Sequence, residues 1–267
     1  MIKLLNIEFK KLLYYKTFWI LSILLLFLLS LVTFGLQGFL GTIIDDSNTH
    51  SPIPIPKFSI YQFPDIWHNI TFIAGYFRIF LGVILIILIT NEFNFKTIRF
   101  NIINGLSRTE FFFSKFFLLL FLSLATTLVL LISGFILGYN NTINTSFSVV
   151  SSELYFVAAF FFEIICYLTF VMFVSLFMKR SGLAIGFILL YSYILEPIIN
   201  YKLPESLQGL LPLTSFGNII QLPNTQLMRV FGYEFSESIA TTDLLISLVW
   251  VTIFAVASWY KVYKSDL

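Results

Sequence analysis

Residues 17–44 read TFWILSILLLFLLSLVTFGLQGFLGTII, 28 positions without one charged side chain. A bilayer core about 30 Å thick needs about 20 apolar residues at the helical rise, so this stretch alone is long enough to cross. It is too long for the apolar region of a cleaved secretory signal and lacks a small-x-small cleavage site. The rest of the chain agrees with it. Of 267 residues, 58% are hydrophobic and only 11% charged, and Phe occurs 33 times. Ordinary soluble domains carry about 25% charged residues. So few charges cannot cover the surface of a soluble fold with this apolar content. The composition excludes a soluble enzyme, a disordered chain and a disulfide scaffold.

Outward from that stretch, the apolar segments predict an all-α polytopic membrane protein with six transmembrane helices in one domain over 1–267. The expected spans are 18–40, 70–91, 112–138, 153–178, 182–199 and 242–260. Ser206 to Met228 is also uncharged, but Pro212, Pro223 and several amides suit an outer re-entrant hairpin between the fifth and sixth helices better than a seventh span. Pro197 is expected to break the fifth helix, leaving Glu196 near the outer surface. Basic residues give the orientation. With both termini cytoplasmic, twelve lie inside: Lys3, Lys10, Lys11, Lys16, Lys96, Arg99, Arg108, Lys115, Lys179, Arg180, Lys261 and Lys264. Only Lys57, Lys202 and Arg229 lie outside. The Phe, Ile, Leu, Asn and Lys bias points to an AT-rich bacterial genome, hence to a bacterial cytoplasmic (inner) membrane. There, Asn-x-Ser/Thr patterns such as the one at Asn69 carry no glycan.

Two inner segments read as built elements. Over 1–17, Ile2, Leu5, Phe9, Leu12 and Leu13 share one helical face and Lys3, Asn6 and Lys10 the other, which predicts an interfacial helix. The alternative is that these lysines serve only as a topology signal. Residues 91–110 read NEFNFKTIRFNIINGLSRTE. Phe95, Ile98 and Ile102 give a short helix its apolar contact. Gly105 suits a left-handed stop, and Ser107 with Glu110 forms a capping box that opens the third span. This element either transmits force from a cytoplasmic partner or is an ordinary amphipathic connector.

The pattern Ile7-Glu8-Phe9-Lys10-Lys11-Leu12 … Lys16-Thr17-Phe18-Trp19 resembles the start of ABC type-2 transporter permeases. Glu92 … Lys96-Thr97 … Arg99 … Gly105-Leu106-Ser107-Arg108 … Lys115 is similar to the same family's element after its second span. Many members carry Gly where Lys96 stands here and a Pro near Gly105. The resemblance implies six spans, both termini inside, an outer hairpin before the last span, and a cytoplasmic coupling helix between helices 2 and 3. On this reading Glu92, Lys96, Thr97, Arg99, Gly105, Ser107, Arg108 and Lys115 couple the permease to ABC ATPase subunits. It also implies a second permease copy or a related permease, lipid surroundings and no nucleic-acid partner.

The chain carries no Walker A loop, so ATP and Mg would be bound by the partner ATPase; no cofactor, catalytic residue or metal site is expected here. His50 and His68 read as solvated loop residues, and Cys166 as packing. Two charges inside spans need an explanation, Arg78 and Glu163. They are partners, or each is satisfied separately by hydroxyls such as Tyr167 or Tyr76. The function expected is movement of an amphipathic, lipid-like or peptide cargo outward at the expense of ATP. The rival class is an ATP-independent carrier or a membrane anchor in an envelope complex.

Overall fold

Each described element is helical, as a chain in hydrocarbon requires, because only a helix satisfies its backbone polar groups within one segment. The structure is a computed structural model and describes residues 10, 12–50, 60–103, 105–223 and 238–264. The helices are α1 (Lys16–His50), α2 (Ile66–Gly75), α3 (Arg78–Asn94), α4 (Thr97–Ile103), α5 (Arg108–Asn141), α6 (Phe147–Ser151), α7 (Tyr155–Met178), α8 (Ser181–Leu190), α9 (Glu196–Lys202), α10 (Pro212–Asn218) and α11 (Thr241–Lys264). A π turn, Tyr191–Leu195, joins α8 to α9. Hydroxyls inside the helices are satisfied locally: Thr90, Ser123, Thr127, Thr169 and Ser175 each donate to the carbonyl four residues back.

Among the described residues, four segments are long and apolar enough to cross a membrane: Arg108–Asn141, Phe147–Met178, Ser181–Lys202 and Thr241–Lys264. The bent pair α2–α3 makes up to five. The 35-residue α1 adds a further apolar stretch, Lys16–Val32. The interfacial helix expected over 1–17 lies mostly outside the described residues, as does the hairpin beyond residue 223. The described part of the hairpin, 206–223, includes the seven-residue α10, whose Pro212, Leu213, Ser215 and Phe216 are buried.

The second apolar segment differs from expectation. It starts at Ile66 and bends by 46° between Gly75 and Arg78. Tyr76 and Phe77 donate to carbonyls three residues back, which tightens the chain and interrupts the regular ladder. The fifth also differs. Pro197 does not break it, because the π turn lets the Glu196 N–H reach the Tyr191 carbonyl five residues back. The wider turn makes room for a ring that would otherwise collide with the carbonyl four residues before it.

The core is centred on α7, which packs against α2, α3, α5 and α11. Within its apolar window 72% is buried inside the protein, against 17% for Ser181–Lys202 and for Thr241–Lys264. The latter two therefore turn most of their apolar surface away from this chain.

Side-chain contacts sort the helix ends. At one end, Asn91 Nδ2 donates to the Tyr15 hydroxyl, Arg108 Nη1 donates to the Tyr263 carbonyl, and Lys179 Nζ lies over the Phe93 ring. At the far end of α5, the Phe63 N–H donates to Thr142 Oγ1 and Trp67 Nε1 to the Val150 carbonyl. Trp67 and Phe63 press against Gly134 and Gly138, where a Cβ would collide with their rings. His68 is not in a solvated loop. It is buried on α2, stacked on Phe156, with its Nε2 2.9 Å from the Gln221 carbonyl. Asn69, at the glycosylation-like pattern, is also buried and donates to the Ile60 carbonyl.

Candidate functional site

Two constellations stand out. The first is the elbow from α3 to α5. The last turn of α3 ends at Lys96, whose φ of 56° is left-handed. Thr97 Oγ1 reaches back 3.3 Å to the Glu92 carbonyl and covers an end that the ladder leaves open. Arg99 lies on α4. Gly105 follows with φ 96°. Its N–H donates to the Ile102 carbonyl and that of Leu106 to the Asn101 carbonyl, the paired bonds of a glycine helix stop. Ser107 then caps α5: its side chain accepts from the Glu110 N–H, and the Glu110 carboxylate accepts from the Ser107 N–H. This capping box is the one the sequence spacing predicts.

Inside the elbow, Lys115 Nζ lies 2.7 Å from Glu92 Oε1, with both side chains buried. Lys115 also sits 5.2 Å from the Phe111 ring centre. These two residues point into the bundle and brace it. The outward surface is made by other residues. Ile98 is buried, while Phe95, Phe100 and Ile103 are exposed. Lys96 is exposed between them.

The second constellation lies within the helices. Arg78 Nη1 and Glu163 Oε1 are 2.5 Å apart, so the two membrane charges are partners. Arg78 opens α3 just after the bend, which is how it reaches α7. Its guanidinium also lies 5.2 Å from the Tyr167 ring centre. Gly75 and Gly217 flank the pair: a Cβ on Gly75 would come 3.6 Å from Glu163, and one on Gly217 3.7 Å from Arg78, both ordinary contacts. Beside the pair is a cavity of about 280 Å³, lined by the α2–α3 bend, Glu163 and Tyr167 of α7, Ser192 and Glu196 of the fifth segment, and Thr214 of α10.

Glu196 is the member that sequence reasoning missed. It is 1% exposed, and its Oε1 accepts from both the N–H and the hydroxyl of Thr214. Along α8–α9 the buried residues are Ala184, Ile188 and Glu196. In a regular helix, residue 196 would sit about 120° from residue 184. The π turn absorbs one residue and brings the two faces within about 20°. Among the described residues, no group of three or more His, Cys, Asp or Glu side chains is placed to hold a metal ion.

No curated protein matches the sequence. A family model described as "Protein of unknown function (DUF2705)" matches residues 49–267, which include both constellations, and the chain belongs to that family.

Proposed function

We propose that this chain is the membrane permease subunit of an ABC exporter in a bacterial cytoplasmic membrane, with six spans and both termini cytoplasmic. A separate ATPase pair binds ATP and Mg, and its closure drives an amphipathic, lipid-like or peptide cargo outward. A second copy or a related permease completes the pathway, meeting this one at the first and fifth spans. The observation that carries this reading is the elbow. It is a short helix stopped by a left-handed glycine, followed by a capped helix start, and braced from within by Lys115 and Glu92. A stiff element of this kind can pass a displacement to α3 and α5, whereas a loop would absorb it. The exposed Phe100 and Ile103 supply apolar surface for the ATPase to grip. Coupling also requires the ATPase to contact two membrane conformations unequally.

The test is gentle extraction of tagged protein from native membranes. A nucleotide-hydrolysing subunit should co-elute, and substitution of Arg99 or Arg108 should reduce its recovery. Elution without an ATPase, or transport indifferent to both substitutions, removes the reading. The rival class is an ATP-independent carrier or an anchoring scaffold. A carrier draws on the two buried carboxylates Glu163 and Glu196 beside one cavity. Transport by purified protein in vesicles under an ion gradient, without nucleotide, would favour the carrier.

A further inference from the structure

We propose that the cavity beside the Arg78–Glu163 pair is a binding site for the ammonium group of an organic amine. It has a surplus of acceptors. Glu163 is answered by Arg78, but Glu196 faces the same cavity with no cation of its own among the described residues. Thr214 occupies only Glu196 Oε1. Glu196 Oε2 is buried and makes no hydrogen bond of good geometry among the described residues, although the Tyr191 hydroxyl approaches the carboxylate, and the Ser192 Oγ of a residue that lines the cavity is buried without a partner among them. Tyr167 also lines the wall; its hydroxyl is buried without a partner among the described residues and lies against Gly82 of α3. Buried polar atoms are nearly always satisfied, so several orphans around one cavity point to a donor that enters it.

The charge sum selects the donor. Two carboxylates, Glu163 and Glu196, share the wall with one guanidinium, that of Arg78. The missing element is a cation with several N–H groups. A primary ammonium supplies three donors and one positive charge. The remaining wall selects the rest of the molecule. Phe72, Tyr76, Tyr193, Leu213 and Ile220 are apolar or aromatic. They suit a carbon skeleton, and the ring faces favour a cation. The volume is at the small end for ligand sites, enough for an amine the size of a lysine side chain or a phenylethyl group. The π turn adds an independent sign, since such turns recur at functional sites and this one is what brings Glu196 inward.

The inference needs no ATPase and does not rest on the exporter reading. It is tested on the full chain purified into lipid nanodiscs, with 2-phenylethylammonium chloride and neutral 2-phenylethanol as probes of matched size. Calorimetry at constant ionic strength should show the ammonium binding at least tenfold more tightly than the alcohol. Glu196→Gln, which leaves an oxygen for Thr214, should weaken the ammonium at least tenfold and leave the alcohol unchanged. Ser192→Ala, which touches neither the charge nor Thr214, should weaken the ammonium by a few fold and serves if the first variant fails to fold. The proposal is overturned by equal binding of the two probes, by ammonium binding that neither variant weakens, or by no heat of binding up to 10-fold above millimolar probe.

Discussion

Lys115 Nζ and Glu92 Oε1 meet at 2.7 Å across 23 residues of chain, and the contact ties the last turn of α3 to the second turn of α5 beneath the elbow. Removing one partner strands a buried charge, which costs about 3–5 kcal/mol, whereas replacing both by apolar residues is often neutral. Lys115→Met and Glu92→Leu are therefore each expected to lower the thermal midpoint markedly. The double variant should recover most of the loss. Unfolding curves of the four proteins in one detergent form the cycle; additive losses in the double variant would show that the two residues are stabilised independently.

Lys96 holds a left-handed backbone that costs an L residue about 1–2 kcal/mol. Glycine adopts it freely, although it loses more chain entropy on folding. Lys96→Gly should stabilise the protein by about 0.5–1 kcal/mol. Gly105→Ala, at φ 96° with open space around the position, should destabilise it by a similar amount through backbone strain alone. Opposite signs in chemical unfolding check the pair. The glycine common in the resembling family at the Lys96 position is what this conformation favours.

The elbow and the intramembrane pair were legible in sequence for different reasons. Ser107, Glu110 and Gly105 work through contacts three to five residues away, so spacing reveals them. Arg78 and Glu163 are 85 residues apart, but a charge in hydrocarbon must find a partner, and few candidates existed. The bend after Gly75 was not legible, because the segment is apolar on both sides and hydropathy does not register direction. The burial of Glu196 was not legible, because Pro197 argues for a break in the helix there and a π turn shifts register without any sequence mark. His68 was read as solvated because the stacking of its ring on Phe156 is a tertiary contact between α2 and α7.

Gly134 and Gly138 on α5 leave room for the Trp67 and Phe63 rings. Overpacking at such a contact costs about 1–3 kcal/mol. Gly134→Ala and Gly138→Ala are expected to destabilise by that order. Gly182→Ala and Gly186→Ala on α8 meet nothing within 4 Å and should be neutral or stabilising, since alanine favours a helix by up to about 1 kcal/mol. A thermal-shift series across the four variants separates the two classes. Equal effects at all four positions would mean that helix propensity, not the ring contact, decides.

Phe100 and Ile103 stand three residues apart on α4 and are 65% and 80% exposed, while Ile98 on the same helix is 2% exposed. Residues three apart lie on one face of a helix, so α4 has one face buried in the bundle and another turned outward with two large apolar side chains. Changing the outward pair removes nothing from the core. Phe100→Ser with Ile103→Ser should leave the unfolding midpoint within about 0.5 kcal/mol of the parent. Ile98→Ser should lower it, because it puts a hydroxyl into a packed site at a cost of about 2 kcal/mol or more. If the outward face is where an ATPase grips, the double variant should also lose capture of that subunit at least tenfold while folding normally. If headgroups cover the face instead, capture should persist. Pull-down on the same three proteins tells the two apart.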